Sequence, residues 1–153
     1  MKFIIALIFL FVIQPAVAKS SLPENCMHLK ETVKADFILL NKKEFIQLGE
    51  CSAVALLKLG ELKKLNEACA EVIEDKNNVL GILSLSKSEA LKIGQCVGVI
   101  NYIYERFHNE VVNGRYGEKY SCSKGIKAAT YLSAQSSSMK RRDQLRDLLC
   151  MAN

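Results

Sequence analysis

The stretch Ser86-Lys87-Ser88-Glu89-Ala90-Leu91-Lys92-Ile93-Gly94-Gln95-Cys96-Val97-Gly98-Val99-Ile100-Asn101-Tyr102-Ile103-Tyr104-Glu105-Arg106-Phe107 decides the fold class. It opens on a capping box: a serine hydroxyl that can accept from the amide three residues on, and a glutamate there whose carboxylate can return the bond. Behind it Leu91, Ile93, Cys96, Val97, Val99, Ile100, Ile103, Tyr104 and Phe107 are apolar around much of a helical circumference, the pattern of a helix surrounded by others. Asn113-Gly114 reads as the end of this helix.

Upstream, Cys26, Leu29, Val33, Phe37 and Leu40 recur at three- and four-residue steps and predict an amphipathic helix around Glu24 to Leu40. From Lys42 to about Asp75 the same spacing runs through Phe45, Leu48, Cys51, Ala55, Leu59, Leu62, Leu65, Cys69 and Val72. Gly60 is the breaker in that run, with Lys58 before it and Glu61 after it, the charge order of one helix stopping and another starting. Because the apolar phase crosses Gly60 unchanged, one long helix and two shorter ones both fit. Asn77 to Leu85 reads as a connection. Downstream, a loop from Asn113 to Ser121 precedes a short helix marked by Ile126, Ala129, Tyr131 and Leu132; Ser136-Ser137-Ser138 is a turn, and Leu145, Leu148 and Leu149 mark a last helix. No stretch shows strand alternation and no internal repeat stands out. The expected fold is all-α, a compact bundle of five or six helices cross-linked by disulfides.

With 153 residues, 50% of them hydrophobic and 24% charged, the chain has the make-up of one folded domain, and it lacks the long polar or like-charge tracts of a disordered tail. Residues 1–18 carry Lys2, an apolar run from Phe3 to Ile13, then Pro15 and the small-residue ending Ala16-Val17-Ala18, the layout of a cleaved secretory signal. The apolar run is shorter than the roughly 20 residues that span a bilayer. Cleavage after Ala18 leaves a domain of residues 19–153 and lowers the net charge from +5 to +4 through loss of Lys2. The expected location is the periplasm or the secreted fluid, with no membrane anchor after cleavage.

In an oxidising compartment, six cysteines, Cys26, Cys51, Cys69, Cys96, Cys122 and Cys150, are expected to form three disulfides. Cys122 and Cys150 lie 14 residues either side of Ser136, so a hairpin of the last two helices brings them together at its open end. Cys51 and Cys69 lie nine residues either side of Gly60 and pair if the chain turns there, leaving Cys26 with Cys96. If the helix runs straight, they stand roughly 27 Å apart, far beyond the ~7 Å limit for a disulfide.

Candidate chemistry is sparse. Glu105-x-x-His108 has the spacing of a di-iron carboxylate helix, but such sites need a second copy, and the other histidine, His28, has Asn25 in the partner position. Nucleophilic serine or cysteine chemistry lacks its signature, since no G-x-S-x-G elbow occurs and each thiol has an expected covalent partner. No catalytic residue, metal or other cofactor is therefore expected. Lys140, Arg141, Arg142 and Arg146 cluster on the last helix, as a solvated face or a contact surface for an acidic protein; nucleic acid would call for a more basic chain. Tyr116 and Tyr120, beside Asn113-Gly114 and Gly117, are the candidate contact residues of a protruding loop.

Cys96-Val97-Gly98-Val99-Ile100, with Cys122 ahead of a helix bearing Tyr131-Leu132 and a leucine-rich helix running into Cys150, resembles small periplasmic immunity proteins of the Rap/Tai-like helical group, which neutralise type VI secretion effectors. The resemblance covers residues 96–150. It implies a non-enzymatic inhibitor that plugs or covers the active site of a toxic effector enzyme, its cognate protein partner, and a homodimer is compatible with it. Two other expectations compete with it: a carrier holding a lipid or metabolite in an apolar cavity, and a secreted enzyme.

Overall fold

Ser86 caps the central helix as its sequence predicts: its hydroxyl accepts from the Glu89 amide at 3.2 Å and its own amide donates to the Glu89 carboxylate at 2.6 Å. These bonds hold the exposed Glu89 carboxyl below its usual pKa. The computed structural model describes residues 26, 39–60, 62, 64–78, 84–114, 117–135 and 141–153. The expected signal segment, most of the helix expected from Glu24 to Leu40, much of the Asn77 to Leu85 connection and the Ser136 turn lie outside these residues, as do Tyr116 and Lys140.

Among the described residues there are five helices and one small sheet: α1 (Lys42–Leu59), α2 (Leu65–Asn77), α3 (Lys87–Phe107), β1 (Tyr120–Cys122), α4 (Gly125–Ser133), α5 (Arg142–Leu149) and β2 (Cys150–Ala152). The all-α class holds. Helix α3 is the hub, burying Ala90, Ile93, Gly94, Cys96, Gly98, Val99, Ile100, Ile103 and Phe107, with α1, α2, α4, α5 and β1 all packed on it. The main core adds Leu57 and Ala53 from α1, Leu65, Ala68 and Cys69 from α2, Ala128, Ala129 and Leu132 from α4, and Leu145 and Leu149 from α5. Lys92 reaches across to Glu71 at 2.7 Å, tying α3 to α2; this bond holds the Lys92 amine above its usual pKa.

Helix α1 starts on a second capping box, Asn41 with Glu44, and stops at Gly60, which takes the left-handed conformation at φ 69° and donates its amide back to Leu57 at 3.2 Å. The turn at Gly60 is therefore real, and of the two continuations the broken one is correct. The apolar phase does break there: Leu59, expected on the buried stripe, is 69% exposed, whereas Leu62 is 1% exposed.

Contact between α1 and α3 is made by backbone. A Cβ placed on Gly49 would collide with the Leu91 carbonyl oxygen, one on Gly94 with the Ile46 carbonyl oxygen, and one on Gly98 would lie 2.6 Å from the Glu50 carbonyl oxygen. Glycine is required at these positions because any side chain would force the two helices apart.

The disulfides are Cys26–Cys51, Cys69–Cys96 and Cys122–Cys150. The pairing expected from a turn at Gly60, Cys51 with Cys69, is overturned even though the turn exists. Helices α1 and α2 do not close as a hairpin; α1 packs chiefly on α3, and α2 divides its packing between α3 and α4. Cys69 thereby enters the main core against Cys96, and Cys51 joins Cys26 in a separate small cluster.

The last pair is as expected, in a different setting. Cys122 and Cys150 sit in strands, directly opposite in the antiparallel register of β1 and β2, with Cα atoms 3.9 Å apart. Lys119 and Asn153 exchange backbone hydrogen bonds at 2.8 and 2.9 Å, and the Ser123 amide donates to Leu149 at 2.8 Å. The cysteines therefore occupy the non-hydrogen-bonded position, where facing side chains come closest. These strands correct the expectation of none; three residues are too few for alternation to register. Asn113-Gly114 is likewise corrected: α3 ends at Phe107, and Asn113-Gly114 lies in a hairpin whose arms pair Val111 with Lys119. Consecutive valines and an Asn-Gly turn favour a hairpin over a helix terminus.

Candidate functional site

The basic cluster on α5 separates into residues with different work. Arg146 places its guanidinium 5.6 Å from the Phe107 ring and 5.4 Å from the Tyr120 ring, and donates to the Asp147 carboxylate at 2.7 and 2.9 Å. The Asp147 bond pushes the Arg146 pKa above its already high value. This side chain is 26% exposed and cements α5 to α3 and β1. Tyr120 is corrected in the same way: it is not on a protruding loop but in β1, half-buried, packed against the main core and under Arg146.

Arg141 and Arg142 differ. Both are exposed at the start of α5 and they line a groove of about 580 Å³ with Leu57, Lys58, Leu59 and Gly60 from the end of α1, Tyr102 from α3, and Asp143. Within it, Leu57 is buried beneath the surface, Tyr102 is half-buried, and Leu59 stands exposed. Arg141 lies 3.8 Å from the Asp143 carboxylate, a contact 76% exposed on the arginine side and therefore worth little. No ion-pair partner of Lys58 or Arg142 is found among the described residues. Among the described lining residues, three cations thus accompany one carboxylate around a partly apolar wall. Lys58, Leu59 and Tyr102 were not candidates from sequence; the available signal was an apolar residue standing immediately before a helix-ending glycine, where a helix presents its last turn to solvent.

His108 acts as a structural joint. It follows α3, stacks on Tyr104 with ring centroids 4.3 Å apart, and its Nδ1 accepts from the Cys122 amide at 3.1 Å, so the neutral ring carries its proton on Nε2. Lys124 sits over the other partner of that stack, 5.0 Å from the Tyr104 ring. Glu105 is exposed and takes no part in this arrangement. Among the described residues no group of three or more His, Cys, Asp or Glu side chains is placed to hold a metal ion. All six cysteines are oxidised, so none offers a thiolate.

What the arrangement offers, then, is a rigid cross-linked bundle with a cationic, partly apolar groove at one end. No known family model, curated protein or solved structure matches the chain. No described helix is long and apolar enough to cross a membrane.

Proposed function

We propose that the protein is an exported, disulfide-bonded binding protein that works by contact, and that it is an immunity-type inhibitor covering the active site of a toxic secreted effector enzyme. The observation that carries this reading is the groove rimmed by Lys58, Arg141 and Arg142 on a bundle whose thiols are all committed to disulfides. Three disulfides are compatible with an oxidising compartment, and the signal-like segment 1–18 supports export. The resemblance over residues 96–150 supports the inhibitor role. Cationic groups at such a surface speed encounter with an acidic partner and fix its orientation.

The reading is tested against secreted cell-wall- or membrane-degrading enzymes, beginning with any encoded beside this chain, since an immunity protein is normally encoded next to its toxin. The expected result is a stoichiometric complex, seen by native mass spectrometry, in which the enzyme is inactive, and which Arg142→Glu weakens. A co-purified lipid or metabolite together with full enzyme activity would support the carrier instead and overturn the inhibitor.

A further inference from the structure

We propose that the groove between the end of α1 and the start of α5 takes a short acidic segment bearing an apolar side chain, presented by a protein partner. The proposal deepens the binding reading and rests on it.

Four features select this occupant. Exposed Lys58, Arg141 and Arg142 line the groove, and among the described lining residues Asp143 is the one acid, engaged only loosely by Arg141. Arginine forks match carboxylates in two-point geometry, so the rim suits Asp and Glu side chains. The wall is apolar: Leu59 is 69% exposed above buried Leu57, beside Tyr102, and an inorganic anion would leave that surface wet. Gly60 contributes no side chain, and among the described residues outside its chain neighbours nothing lies within 4 Å of where its Cβ would be. A space of about 580 Å³ is within the range that takes a peptide segment or drug-sized molecule. A nucleic-acid strand is disfavoured because Tyr102, the one aromatic among the described lining residues, gives no series of stacking platforms.

The probe is the peptide acetyl-DELED-amide, titrated into the oxidised, isotope-labelled protein and followed by backbone amide shifts. The comparison probes are acetyl-DESED-amide, acetyl-KKLKK-amide and inorganic phosphate. Shifts are expected at Gly60, Tyr102 and Asp143 with a Kd of about 1 mM or tighter. The serine peptide should bind at least about fivefold more weakly, for loss of one buried apolar side chain. Lys58→Glu with Arg142→Glu should raise Kd by about tenfold or more; both sites are exposed, and an unchanged melting temperature would confirm that the variant folds.

Absence of groove shifts, equal binding of the serine peptide or of phosphate, or indifference to the double reversal would each overturn the proposal. A captured effector whose binding ignores the double reversal would leave the inhibitor reading standing and remove this groove from it. Peptide binding with no effector inhibited would do the converse.

Discussion

Where α1 crosses α3, two helices meet backbone to backbone because Gly49, Gly94 and Gly98 hold nothing between them. At the corner where β1 meets β2, segments are held by what their side chains add: the Cys122–Cys150 bond and the Arg146 guanidinium between Phe107 and Tyr120. The first joint has no slack, since any added atom must separate the helices. The second is a set of distinct attachments, each removable by itself. Rigidity through omission is intolerant of substitution, whereas rigidity through addition fails in steps.

This contrast orders the expected effects. Gly94→Val should cost about 4 kcal/mol or more, at the top of what overpacking does, because the new side chain must enter the Ile46 carbonyl; chemical denaturation measures it. Replacing Cys122 and Cys150 together by serine should cost about 3 kcal/mol, for a loop closed over a sequence separation of 28, again read by denaturation. If the double serine variant were the less stable of the two, the ranking of the joints would be reversed. Arg146→Ala should cost about 1 kcal/mol by thermal unfolding, with faster hydrogen exchange confined to β1, β2 and α5.

The smallest effect probes the seam from its edge. Glu50, whose backbone packs against Gly98, has its carboxyl pKa raised by burial. A carboxyl with a raised folded pKa is best tolerated when protonated, so its burial is fully accommodated below the unfolded value and becomes a penalty as pH rises through the folded one. Glu50→Gln should therefore raise the melting temperature slightly near neutral pH, and the gain should vanish below about pH 4. A gain that persisted in acid would show that charge burial is not its source.

Local features were legible in the sequence and assembled ones were not. The Ser86–Glu89 box reads directly because both partners lie within one turn. Cys122–Cys150 was found through symmetry about a turn, although the same argument misassigned Cys51, since it takes no account of which neighbour a helix packs on. The glycine seam was open to view as four-residue steps of small residues, Gly49 to Ala53 and Ala90 to Gly94 to Gly98, yet in a helix rich in large apolar residues those steps read as gaps in the stripe. Of the candidate contact residues, Arg141 and Arg142 reach the groove, while Arg146 and Tyr120 are spent on packing. Lys58 and Tyr102 join the groove from two further helices, and no one-dimensional pattern places them beside Arg142.

The three bridges share one property of order: each cysteine is bonded to the next one along the chain, Cys26 to Cys51, Cys69 to Cys96, and Cys122 to Cys150. An oxidant acting on thiols as a polypeptide emerges from its amino end would meet each native pair in turn. Cys26 need never wait for a partner synthesised after Cys69, which limits the need for reshuffling, a step that takes minutes to hours without catalysis. The pairing is thus one that vectorial synthesis favours, because each partner is the next cysteine to appear.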